Sequence, residues 1–110
     1  LEPSVRARAS VRLGVPDHQP LAGFIRNEQQ LDNLANVLAA GKPVSMSDTP
    51  PHSQVSTLTA LGSRGLTTAP LLSQVVIAQL CHQPLPMAEH LLQAVDPLRF
   101  FIRRSIRNQL

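Results

Sequence analysis

One cysteine and four histidines carry the most reactive chemistry in this 110-residue sequence. Cys81, His82 and His90 lie close together, and His52 precedes them. A zinc site needs three or four converging ligands, usually in paired short spacings such as CxxC or HxxxH. Adjacent Cys81 and His82 would leave a helix in different directions, so they do not make such a pair. The sequence therefore predicts no metal site, with Cys81 packing as a small apolar residue. Nucleophilic catalysis fares no better: no GxSxG or HExxH arrangement gathers the serines and histidines, and His90 beside Glu89 reads as a surface pair. Gly62-Ser63-Arg64-Gly65 lacks the spacing and the lysine of a phosphate loop, and reads as a helix C-cap followed by a turn. The expectation is a non-enzymatic chain with no cofactor and no small-molecule pocket.

Charge is the second chemical signal. The formal net charge is +3, and nine of the ten cations are arginine. Arginine suits planar, bidentate contact with carboxylates and phosphates. Arg6, Arg8 and Arg12 crowd the first twelve residues, and Arg99, Arg103, Arg104 and Arg107 crowd the last fourteen. Between them the balance is acidic, with Asp17, Glu28, Asp32, Asp48, Glu89 and Asp96 against Arg26, Lys42 and Arg64. Basic ends could grip phosphates without reading sequence. With no Tyr, no Trp and three Phe, there is little material for stacking on single strands.

These residues need elements to hold them. From Val5 to Val15 the pattern alternates, with Val5, Ala7, Ala9, Val11 and Leu13 on one parity and arginines on the other. Such a period of two implies an extended segment, read as an arm or a strand borrowed from a neighbour. Residues 1–19 are taken as basic arm and linker, and 20–110 as a helical domain. Pro20 suits the first position of a helix, and Leu21, Phe24, Ile25, Leu31, Leu34, Ala35 and Leu38 follow at helical spacing up to Gly41. Thr49 and Pro50 would start a second helix, with Val55, Leu58 and Leu61 inward and Gly62 closing it. Thr67 or Thr68 would cap a third, whose Leu71, Leu72, Val75, Val76, Ile77 and Leu80 wrap more than half its circumference and mark it as central. Met87, Leu91, Leu92 and Val95 give a fourth. Asp96-Pro97 opens a fifth, with Leu98, Phe101, Ile102 and Ile106 on one side and Arg99, Arg103 and Arg107 in a row on the other. Phe100 falls among the arginines.

The fold class expected from this pattern is all-α: a small bundle of four to five short helices with an extended N-terminal arm or strand. A hydrophobic fraction of 43% is too high for a disordered chain. No apolar stretch reaches membrane-spanning length, and no signal peptide is visible. The start at Leu1 suggests a piece of a longer protein. The lone cysteine excludes a disulfide scaffold and is compatible with a reducing compartment.

The function read from these features is a protein-interaction or adaptor domain. It would dock through apolar helix faces and the arm, using Val5, Val11 and Leu13, with Phe100, Arg103, Arg104 and Arg107 meeting an acidic protein partner. The alternative is a nucleic-acid-binding module that uses both basic ends. Helices at 50–62 and 70–82 would outline a helix-turn-helix, but the second presents core residues rather than base-reading ones. An anionic membrane surface is a third use of the last helix.

Overall fold

The computed structural model describes residues 4–43 and 55–109. In chain order the elements are strand β1 (Leu21–Phe24), helix α1 (Glu28–Ala39), strand β2 (Ser56–Thr59), a 3₁₀ turn (Gly62–Arg64), and helices α2 (Gly65–Leu80), α3 (Glu89–Val95) and α4 (Arg99–Gln109). The strands pair antiparallel, with Leu21 opposite Thr59 and Phe24 opposite Ser56. The ladder is prolonged by the Ile25 N–H donating to the Val55 carbonyl at 3.0 Å.

This two-stranded sheet overturns the all-α expectation. A helix cannot start at Pro20, because Gly23 stands at φ +142° and β1 pairs along its length with β2. Backbone at that φ is open to glycine and almost closed to other residues. Helix α1 instead begins after Asn27, whose side chain accepts the Gln30 N–H while the Gln30 side chain accepts the Asn27 N–H, both at 3.0 Å. That reciprocal box satisfies two orphan donors of the first turn. Its other end is as expected: Gly41 at φ +68° lets the Gly41 N–H reach the Leu38 carbonyl and the Lys42 N–H reach that of Val37.

The second expected helix is also corrected. Its proposed start, Thr49 to Gln54, lies outside the described residues, and its second half is β2. Thr57 and Thr59 are poor helix formers and good strand formers, and Ser56 favours helices little, so the pairing with β1 prevails. Gly62 to Gly65 therefore does not close a helix; it joins a strand to α2. That also removes the helix-turn-helix outline. Neither Thr67 nor Thr68 caps α2: the Thr68 hydroxyl donates back to the Arg64 carbonyl at 3.0 Å from inside the helix.

Helix α2 packs on both strands, α3 on β1 and α4, and α1 on α4. The core gathers Ala22 of β1, Leu72 of α2 and Val95 of α3, with Leu58, Leu61, Val76 and Met87 against them. Leu34 and Val75 are the most completely enclosed large side chains. Only one side of α2 is used, by Leu72, Val75 and Ala78; Leu71, Ile77 and Leu80 face outward, so the helix is not central as its composition suggested. Among the described residues, no helix is long and apolar enough to cross a membrane.

Candidate nucleic-acid interface

The junction of α3 and α4 organises the charged surface. Asp96 is buried there, and its carboxylate accepts the Leu98 N–H at 2.6 Å while its carbonyl accepts the Arg99 N–H. Asp96 thus caps the turn at Pro97 and Leu98 that leads into α4, which begins at Arg99 rather than at the proline. The same carboxylate lies 3.5 Å from Arg26, whose guanidinium also donates to the Phe24 carbonyl at 2.7 Å. Burial pushes the Asp96 carboxyl above its ordinary value, against the Leu98 N–H and the positive charges of Arg26 and Arg99.

Arg99 is the pivot. Its side chain is 4% exposed, and its Nε and one terminal nitrogen grip the two oxygens of Asp17 at 2.8 and 2.9 Å. It also donates to the carbonyls of Gln19 and Asp96, at 3.0 and 3.1 Å. A bidentate fork of this kind is among the stronger hydrogen-bonded pairs. Asp17 is further held by Arg103 at 2.7 Å and accepts the Gln19 N–H at 3.2 Å. Hydrogen bonds from Arg99 hold its carboxyl well below the usual carboxylate range, outweighing the opposing effect of burial; Gln19 and Arg103 add to them.

Asp17 belongs to a turn in which the His18 N–H donates to the Val15 carbonyl at 2.9 Å, and His18 adopts φ +56°. Upstream of the turn, residues 4–14 form no strand, and Val5, Val11 and Leu13 are 93, 99 and 64% exposed. Arg6, Arg8 and Arg12 are exposed along the same segment and join no ion pair among the described residues. On α4 the three arginines singled out by the sequence part company. Arg103 is committed to Asp17, whereas Arg104 and Arg107 are exposed with no ion pair among the described residues. Phe100 is half-buried between guanidiniums, with Arg99 4.4 Å and Arg103 5.9 Å from its ring centre.

Beside this cluster runs an open groove of about 390 Å³, with His90, Gln93 and Arg103 among the residues that line it. Cys81 is exposed and His82 stands at φ +53° just beyond α2. Among the described residues, no three His, Cys, Asp or Glu side chains converge as metal ligands would. Sequence reasoning missed Asp17 and Arg99 as a pair, because 82 positions separate them. The available signal was a lone acid seated in a proline-bounded turn behind a run of arginines.

This chain is similar to one segment of MnmC. It is 42% identical over 111 residues to the tRNA 5-methylaminomethyl-2-thiouridine biosynthesis bifunctional protein MnmC of Pseudoalteromonas atlantica, an alignment covering 97% of this chain and 15% of that protein. The proteins of the same name from Aeromonas hydrophila and Aeromonas salmonicida are 34 and 37% identical, over 94 and 96% of the chain and 16% of their own lengths. The chain thus spans about 15% of the length of the curated relatives it matches. No family model matches it. The likeness to MnmC runs through nearly the whole chain, the arm and the basic helix included, and it overturns the adaptor reading. The proteins that share this segment are named for tRNA 5-methylaminomethyl-2-thiouridine biosynthesis, and the expected place within a larger protein stands. Val5, Val11 and Leu13, given a docking role on their alternation in the sequence, are exposed.

Proposed function

We propose that this chain serves as a tRNA-contacting segment of a protein of the MnmC kind, gripping phosphates with Arg6, Arg8 and Arg12 on the arm and Arg104 and Arg107 on α4. The observation that carries this reading is the likeness, over nearly the full chain, to proteins named for a step in tRNA 5-methylaminomethyl-2-thiouridine biosynthesis. The disposition of charge supports it. These five arginines, like Arg64, stand exposed with no ion pair among the described residues, so their guanidiniums are free to meet phosphates. In this reading the segment binds and orients RNA, and no chemical step is assigned to its own side chains.

Anisotropy of a labelled tRNA transcript tests the reading. The 110-residue chain is expected to bind with a Kd on the order of 10⁻⁴–10⁻⁶ M near physiological salt, the range for contact with phosphates alone. Deletion of residues 1–12, or Arg104→Gln with Arg107→Gln, should each weaken binding several-fold. Absence of binding, or unaltered binding in both variants, would remove this function from the chain.

A further inference from the structure

We infer that Asp17 is a positioning residue for RNA binding: it anchors the arm's root to α4 through Arg99 and Arg103, so that the arm's arginines and those of α4 act on one RNA together. The inference rests on the tRNA-contacting role proposed above and deepens it. Three observations carry it. Among the described residues the arm has no strand partner, so the direction in which it leaves the domain is set at its root. That root is a stiff turn, with Pro16 fixing one φ, His18 left-handed at φ +56°, and the His18 N–H closed onto Val15. The turn in turn is tied to α4 by four hydrogen bonds: two from Arg99 and one from Arg103 to the Asp17 carboxylate, and one from Arg99 to the Gln19 carbonyl. Arg99 is buried and held from the other side by Asp96, so it is a fixed post rather than a swinging arm.

Asp17 therefore acts against its own charge. An acid within a basic surface repels phosphate, and it occupies Arg103, which would otherwise be a contact. Simple charge counting says its removal should strengthen RNA binding. Positioning says the reverse, because an untethered arm must be ordered anew each time it closes on RNA.

The experiment pairs Asp17→Asn with deletion of residues 1–12, each alone and combined, in the 110-residue chain with the same tRNA transcript as probe. Circular dichroism checks that each variant is folded. Asp17→Asn should weaken binding several-fold, close to the loss on deleting the arm, and the arm deletion should cost almost nothing further in its background. A merely structural role would not make the arm dispensable in this way. Arg103→Gln, at a half-exposed position, gives a second readout that does not depend on the fate of Asp17→Asn. Because Arg103 is spent on Asp17, this change should leave the salt dependence of binding intact, whereas Arg104→Gln should lower its slope by about one. Equal or tighter binding by folded Asp17→Asn, or a fall in slope for Arg103→Gln matching that for Arg104→Gln, would overturn the inference while leaving the tRNA-contacting role standing. Failure of the unmodified chain to bind would instead remove that role and the inference with it.

Discussion

Removing the Asp17 carboxylate should expose how much of the fold hangs on one long-range ion pair. Arg99 is 96% enclosed by its surroundings and points two of its donors at Asp17. In Asp17→Ala those donors face a vacancy, and the guanidinium keeps only its two carbonyl partners, Gln19 and Asp96. Breaking a buried pair from one side costs about 3–5 kcal/mol, because a charge is left unpaired. Asp17 is 19% exposed, so water reaches the gap and the lower figure applies, about 3 kcal/mol. Arg99→Met leaves Asp17 with Arg103 and the Gln19 N–H, and with its charge near solvent; about 2 kcal/mol is expected. The double variant has no stranded charge from this pair and should cost about 3 kcal/mol rather than the additive 5, a coupling of about 2 kcal/mol. Urea denaturation followed by far-ultraviolet circular dichroism is the suitable assay, since the sequence has neither Trp nor Tyr. Additive behaviour to within about 0.5 kcal/mol, or a harmless Asp17→Ala, would refute the reasoning that this pair locks the arm's root to α4.

Acid should act through the same carboxylate. Its folded-state pKa lies below the ordinary 3.8, so its stabilisation is complete above that value and is lost as the pH falls below it toward the lowered pKa. Asp17→Asn should therefore flatten the acid limb of a stability–pH profile below about pH 4; an unchanged limb would contradict the assignment. Gly23→Ala should cost about 1–3 kcal/mol, since a Cβ there meets only ordinary contacts of 3.5 Å with Gln79 and Pro97 but the backbone stays at φ +142°. A thermal midpoint unmoved by that change would show the strand free to relax. Asn27→Ala should remove the reciprocal cap of α1 at about 1 kcal/mol, read from the same denaturation curves.

The legible parts of this sequence are those whose signals are local. Asp96-Pro97 marked the approach to α4 to within two residues because a cap and a proline act locally, and Gly41 marked the end of α1 for a similar reason. The strands were not legible: four residues of β1 cannot display a period, and Leu21, Phe24 and Ile25 fit the helical spacing of Leu31 and Leu34 by coincidence of phase. The better signal was the Asn27-x-x-Gln30 box, which begins the helix at Glu28, eight residues later than Pro20. Helix α2 looked central because Leu71, Ile77 and Leu80 are apolar, yet composition does not say which faces are covered. In the candidate interface, the i, i+4 row of arginines was plain, but its division was not. Arg99 and Arg103 turn to an acid on the far side of the sequence, while Arg104 and Arg107 stay free, and no spacing rule encodes that.

The salt dependence of tRNA binding bears most directly on the claim that the five free arginines of the arm and α4 make the interface. With five phosphate contacts, log Kobs should fall against log salt with a slope of roughly −3.5 to −4.5, and deletion of residues 1–12 should shrink it by about 2–3. A slope near zero for the 110-residue chain, or one that deletion of the arm leaves unaltered, would contradict the account.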